Sequence, residues 1–423
     1  MRVPLAISLF FMLMMTQTVP AQTNFNYDET KVPQFDLPKL LVSEDGQKIK
    51  STADWETIRR PELLSFFEEE IYGKVPGALD GVRFEPLEQA PDALNGRALR
   101  KQVRVILERK GATRSFTLLL YLPNNRKNVP VFLGYNFFGN HTVHADPQVQ
   151  ITKAWNRNAP NLNIDNNRAT EASRGVRAHR WDIDRMIQNG FGLATLHYGE
   201  VDPDKNDATD GVQSLFYGTG QQRPKENEWG SIAAWAFGLG RAMDYLEQDA
   251  NVGKVIVFGH SRLGKAALWA GATDHRFSAV ISNNSGCGGA ALSKIRFGET
   301  VARINTNFPH WFADRFNRYN DQEGLLPTDQ HGLLALMAPR PLYVASATED
   351  EWADPKGEFL ALRHTAPVYA LYKKRRFTRK KMPAPNRPIH RTVAYHLRTG
   401  AHDVTSYDWK QYIRWAKKVV VPR

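Results

Sequence analysis

The stretch Lys254-Val-Ile-Val-Phe-Gly-His-Ser-Arg-Leu-Gly-Lys265 sets one hydroxyl, Ser261, between two glycines and beside two cations, Arg262 and Lys265. A serine in a tight turn becomes a nucleophile when a nearby base removes its proton. Its attack on a carbonyl creates an oxyanion, which free N–H groups or a cation stabilise. The base and the acid that orients it must come from elsewhere in the chain. His402 follows Arg398-Thr-Gly-Ala401, and Glu349, Asp350, Glu351 and Asp354 crowd one earlier stretch. Serine, then acid, then histidine is one of the chain orders used for acyl transfer.

These groups need a scaffold that delivers them to one edge. Residues 255–258 are β-branched or aromatic and read as a buried strand. The Gly259 to Gly264 turn and the helix-forming Lys265-Ala-Ala-Leu-Trp-Ala270 follow. Strand, turn with serine at its tip, then helix is a nucleophile elbow. The pattern departs from G-x-S-x-G, because Leu263 takes the last glycine's place and Gly264 comes one later. A Gly-Ser turn between strand and helix is common without catalysis, but the adjacent Arg262 and Lys265 suit an anionic substrate or an oxyanion.

Further strands are expected at 129–135, 192–198, 277–281, 340–345 and 393–397, and a hairpin over 102–108 and 115–121 around Lys110-Gly111. Helical spacing marks 54–72, through Ile58, Leu63, Phe66, Phe67 and Ile71, with Pro61 at the start of its main part and Gly73 at its end. It also marks 229–246 and 407–418. Alternating strands and helices predict the α/β-hydrolase fold, a three-layer αβα sandwich on a mostly parallel central sheet. Both His402 and the four acids then follow strands, where such a fold puts its triad. The loop Asn136-Phe-Phe-Gly-Asn-His141 also falls near the site, with an N–H available for the oxyanion.

The 423 residues carry 56 Lys and Arg against 44 Asp and Glu, a net charge of +12, with 42% hydrophobic residues. No zinc spacing, RNA-binding signature or basic helix accompanies the charge, so nucleic acid is not the expected partner and an acidic polysaccharide fits better. Residues 1–21 read as a signal peptide: one Arg, an apolar run too short to span a membrane, then Ala21. The protein is therefore expected in the periplasm or outside the cell, without stable membrane association. Cys287 is the one cysteine, so no internal disulfide is available. Residues 22–50 are polar and read as a loose extension, and 51–423 as a single catalytic domain with a surface insertion at about 141–180. The seven basic residues in 373–381 read as a solvated loop or as a contact for acidic polysaccharide.

Several segments resemble the bacterial glucuronoyl esterases of carbohydrate esterase family 15. They are Gly-His-Ser-Arg-Leu-Gly-Lys, Ser-Asn-Asn-Ser-Gly-Cys-Gly-Gly-Ala, Asn307-Phe-Pro-His-Trp-Phe312, Leu326-Pro-Thr-Asp-Gln-His331, Ala338-Pro-Arg-Pro341 and Glu351-Trp-Ala-Asp-Pro355. The resemblance runs from about residue 56 to the C-terminus. It implies a serine esterase that cleaves the ester between (4-O-methyl-)glucuronic acid of glucuronoxylan and lignin alcohols without metal or cofactor; separately, a monomer is expected. It further implies Ser261 as nucleophile, His402 as base and Arg262 beside the oxyanion. By the same resemblance Lys265, Glu299 and Trp352 hold the glucuronate hydroxyls and ring. Lys and Glu suit sugar hydroxyls as donor and acceptor, and Trp suits a pyranose face.

One position departs from the fungal members, which carry a Glu directly before Ser-Gly in the loop after the strand that follows the elbow. Asn284 stands there and supplies no carboxylate. The acid must then move to the later loop, where Asp350 matches the bacterial pattern. Two rival readings remain at this stage: a xylan acetyl esterase on the same fold, and an inactive polysaccharide-binding protein on a hydrolase scaffold.

Overall fold

The computed structural model describes residues 25–374, 377 and 379–421. The leader expected at 1–21 lies outside the described residues, as do Arg375 and Arg376 of the basic run. Nine strands form one sheet in the order β1-β2-β3-β5-β4-β6-β7-β8-β9. They are β1 (Gly81–Asp92), β2 (Ala98–Arg109), β3 (Ala112–Pro123), β4 (Val129–Asn136), β5 (Gly192–His197), β6 (Val252–His260), β7 (Ala279–Asn283), β8 (Leu342–Ala347) and β9 (Val393–Arg398). From β5 to β9 every pairing is parallel. β1, β2 and β3 extend the sheet as an antiparallel flank. The sheet and the helices on its faces are those of an α/β-hydrolase.

Alternation along the central strands splits the core into two layers. Val255 and Val257 of β6 join one apolar cluster, while Ile256 and Phe258 join the other. Strand period 2 dictates this: successive side chains leave opposite faces. On the first face pack a helical run over 52–72 (α1) with Ser231–Leu246 (α2) and Arg262–Thr273 (α3). On the second lies Ser406–Val419 (α5), through Trp409, Tyr412 and Trp415. Pro355–His364 (α4) follows the β8 loop. No described helix is long and apolar enough to cross a membrane.

Three local expectations need correction. Helix α1 begins at Thr52, capped by Ser51, and runs through Pro61 rather than starting there. The turn before the proline is π-helical, over Trp55–Arg59, and Pro61 sits in the first turn of the α-segment after it. Residues 25–50 are not loose: Leu40 and Ile49 are buried, and Val42 bridges Lys48. Residues 144–180 have the irregular backbone that their missing periodicity implies, yet Val149, Ile164 and Ser173 are buried. His141 Nε2 meets Ser173 Oγ at 2.8 Å, and Arg174 Nη1 donates to the carbonyls of Asp146 and Val149.

β1 was not legible as a strand because Pro86 and Pro91 interrupt it. An edge strand tolerates proline where a central one does not, and the register slips between Pro86 and Glu88.

Candidate active site

The elbow is built as its sequence requires. β6 ends at His260, and Ser261 adopts φ 59°, ψ −132°, a region that only glycine enters freely. The next residue begins α3. A Cβ at residue 259 would lie 1.9 Å from the Leu263 carbonyl oxygen, so Gly259 is what lets the helix turn close under the strand. The backbone N–H of Ser261 donates to the Asn283 carbonyl at the end of β7 (2.9 Å), fixing the tip against the neighbouring strand.

Three loops at the same edge bring the remaining groups. His402, 40% exposed in its side chain, lies beyond β9, and its Nδ1 is 2.6 Å from Asp350 Oδ2. Of the four carboxylates after β8, Asp350 is the one that reaches His402. Glu349 and Glu351 are exposed, and Asp354 turns away to cap α4, accepting the N–H of Gly357 at 2.8 Å. Burial pushes Asp350 up, but the His402 hydrogen bond and charge, with the Asn284 amide, outweigh it and hold the carboxyl below its usual range. Burial instead drives Asp354 up to about 7.

The histidine ring reaches the elbow through His260, whose ring centroid is 4.5 Å from that of His402. His260 is buried, and its Nδ1 meets Asn283 Oδ1 at 2.6 Å. Burial, reinforced by His402 and Arg180, lowers His260 well below the ordinary histidine value, so it stays neutral as a packing surface. No hydrogen bond joins the Ser261 hydroxyl directly to His402. Such contacts are often long until substrate arrives.

Arg262 opens α3 and its side chain is held from several sides. Nη1 pairs with Asp204 Oδ2, and the guanidinium lies 4.9 Å from the Trp311 ring centroid, with Phe137 and Phe308 at 5.7 and 5.8 Å. Asp204 also accepts from Trp311 Nε1 (2.8 Å) and Tyr198 Oη (3.2 Å), and faces His310 Nε2 at 2.9 Å. Burial works against its charge, but His310 and Arg262 overcome it and hold the carboxyl far below normal. Sequence reasoning missed Asp204 and His310 as members of the site, and reached Phe137 only as part of the Asn136 to His141 loop. Their signal was position alone: Asp204 follows β5, Phe137 follows β4, and His310-Trp311 lie within a segment already noted.

On the other side of the elbow, Lys265 and Glu299 are buried at 4% and 8% exposure, and Nζ lies 4.0 Å from Oε2. Burial lowers Lys265 and raises Glu299, while each opposes the other's shift. Lys265 Nζ donates to the Ser285 carbonyl at 2.5 Å. The Glu299 N–H donates to the carbonyl of Trp352, which is half-buried (3.1 Å). Cys287 is 3% exposed near this pair, and burial with the Glu299 charge pushes its thiol well above the usual range. All seven residues singled out from the sequence thus stand on loops or helix starts at one edge of the sheet.

A sequence profile described as "Glucuronyl esterase, fungi" matches residues 178–372. The chain is 51% identical over 395 residues to "Carbohydrate esterase MZ0003" from an unknown prokaryotic organism, covering 93% of this chain and 91% of that one. A promiscuous esterase of family CE15 from a marine bacterial metagenome superposes with a TM-score of 0.88 at 50% identity, over 93% and 99% of the two chains. A glucuronoyl esterase from Solibacter usitatus superposes at 0.86 with 45% identity, over 92% and 99%.

Proposed function

Since the chain belongs to the glucuronoyl esterases of carbohydrate esterase family 15, a family of carboxylic ester hydrolases, we propose that it cleaves the ester between (4-O-methyl-)glucuronate on xylan and an alcohol of lignin. Ser261, His402 and Asp350 form the triad of this reading. His402 Nε2 takes the Ser261 proton as Oγ attacks the ester carbonyl, and Asp350 steadies the imidazolium through Nδ1. The tetrahedral oxyanion falls beside the Arg262 guanidinium and the free N–H groups that begin α3. His402 then protonates the departing alcohol, leaving glucuronate esterified to Ser261. Water, deprotonated by the same ring, attacks that acyl group, and the acid is released with Ser261 restored.

The observation that carries the reading is the 2.6 Å Asp350–His402 contact one ring away from a strained serine. Lys265, Glu299 and Trp352 give the uronate side its donor, its acceptor and its flat wall. The substrate ester is neutral, so Arg262 contributes more to the developing charge than to binding. The apolar leader and the +12 charge support export and action on acidic plant polysaccharide. Hydrolysis of benzyl glucuronate and of an acetyl ester, measured side by side, tests the proposal. Turnover of the glucuronate ester is expected, and activity confined to the acetyl ester would replace it with the acetyl esterase reading.

A further inference from the structure

The first described residues run along the rim of the sugar side of the site. The Gly298 N–H donates to the Asn26 carbonyl (2.9 Å) in an antiparallel bridge, one residue before Glu299. Farther along, Glu29 pairs with Lys356 of α4. This pairing holds Phe25 edge-on against Trp352, with centroids 4.7 Å apart. Tyr27 follows at 6.2 Å from Phe25 and 5.9 Å from Phe297. A row of rings therefore leads outward from Trp352.

Phe25 and Tyr27 are 37% and 44% exposed, two of the three exposed large apolar side chains among the described residues. Isolated exposed aromatics need no explanation, but two in register with a proposed sugar-binding tryptophan do. Arg303 packs its guanidinium 5.1 Å from the Phe25 centroid, so that ring is braced. Phe25, Asn26, Tyr27, Arg296 and Thr300 border an open hollow of about 430 Å³. Burial, and then the charges of Glu351, Asp350 and Glu299, raise the Tyr27 phenol.

We propose that Phe25 and Tyr27 form a subsite for the neutral pyranose rings of the polymer that bears the esterified uronate, continuing the wall begun by Trp352. The inference rests on the uronate-binding reading of Trp352 and Glu299. A pyranose presents an apolar C–H face to an aromatic ring and its hydroxyls to the surrounding polar groups. Xylosyl rings, lacking a hydroxymethyl arm, lie flat against such a row. Arg296 and the Asn26 and Tyr27 polar atoms border the hollow where those hydroxyls project.

The test compares benzyl glucuronate with the methyl ester of a glucuronoyl-xylotriose, using wild type, Phe25→Ala, Phe25→Leu and the Phe25→Ala/Tyr27→Ala double variant. The double variant is expected to lose about tenfold in kcat/KM on the oligosaccharide, mainly through KM, while benzyl glucuronate stays within about twofold. Phe25→Leu keeps an apolar brace for Trp352 without a flat ring, and is expected to follow Phe25→Ala. Equal losses on both substrates would mean that Phe25 only buttresses Trp352, and unchanged kinetics on both would mean no subsite. Either result overturns the proposal. Xylotetraose binding to wild type and the double variant, followed by calorimetry, separates the two readings. If wild type cleaves neither ester but binds xylotetraose and the double variant does not, the subsite stands and the esterase reading falls. If xylotetraose binds both equally or neither, the subsite falls.

Discussion

Asn284 donates to the same Asp350 oxygen that His402 uses: Nδ2 and Nδ1 each lie 2.6 Å from Oδ2. The position from which fungal members supply a carboxylate thus holds an amide that orients the carboxylate of the next loop. Asp350→Asn is expected to keep the fold and cut kcat by about 10⁴, because the imidazolium loses its partner. Glu349→Gln and Asp354→Asn should cost far less. Asn284→Glu in the Asp350→Asn background should recover part of the rate. Benzyl glucuronate kinetics of the five proteins check this, and a nearly active Asp350→Asn beside an inactive neighbour variant would move the acid.

Arg262 depends on Asp204 for its aim. Arg262→Ala is expected to lower kcat by about 10² or more, as for loss of an oxyanion donor. Asp204→Asn keeps volume and polarity but removes the charge that fixes the guanidinium. Its kcat should fall by a smaller factor than in Arg262→Ala, with KM changed little. If the two residues act as one unit, the double variant falls no further than Arg262→Ala, and additive losses would refute the dependence.

In the proposed mechanism Ser261 joins nucleophilic chemistry to a strained backbone. Ser261→Ala should abolish turnover and leave thermal unfolding near wild type. Ser261→Gly should be equally inactive yet more stable than Ser261→Ala by about 1 kcal/mol, because φ 59° with ψ −132° suits glycine. Chemical denaturation of the two variants measures the difference, and an equal or lower stability for the glycine form would contradict the strain.

Glu358, on α4, gives a pH signature. Its Oε1 accepts the N–H groups of Ser285 (2.8 Å) and Gly286 (3.1 Å), and its Oε2 accepts the Ser346 hydroxyl at 2.5 Å. Burial raises this carboxyl from 4.5 to about 8. A raised value means that the folded state holds the proton more tightly than the unfolded one. The resulting stability is complete below about pH 4.5 and lost as pH rises through about 8. Glu358→Gln mimics the protonated form, so its Tm should fall less than that of wild type between pH 5 and pH 8.5. The difference between the two curves is the readout, since Asp354 and Asp202, each raised to about 7, add a common slope. Parallel curves would show that Glu358 is ionised throughout.

The legible parts of the molecule were those written locally. The strands from 129 onward, the hairpin at Lys110-Gly111 and helix α2 carry their own periodicity, and their observed spans differ from expectation by a few residues at most. The elbow was legible despite its displaced glycine, because Gly259 alone prevents the clash with Leu263. What stayed hidden depends on partners distant in the chain. Nothing around Asp204 announces that it will clasp Arg262, 58 residues later. Residues 25–50 have too few apolar positions to show a period, and they pack through scattered anchors such as Leu40 and Ile49. The choice among four adjacent acids was a matter of loop shape, which turns Asp354 into a helix cap and Asp350 toward His402.

The buried Cys287, whose thiol the Glu299 charge raises and the Lys265 charge lowers, makes the apolar floor it packs into self-reporting. A thiol that is shielded and held protonated reacts with an alkylating reagent only when that floor opens. At high reagent the labelling rate becomes the opening rate, and at low reagent it gives the opening equilibrium. With no second cysteine in the chain to share the signal, the labelled fraction in the intact-protein mass spectrum would follow those openings directly. A sugar seated above the floor would slow the clock.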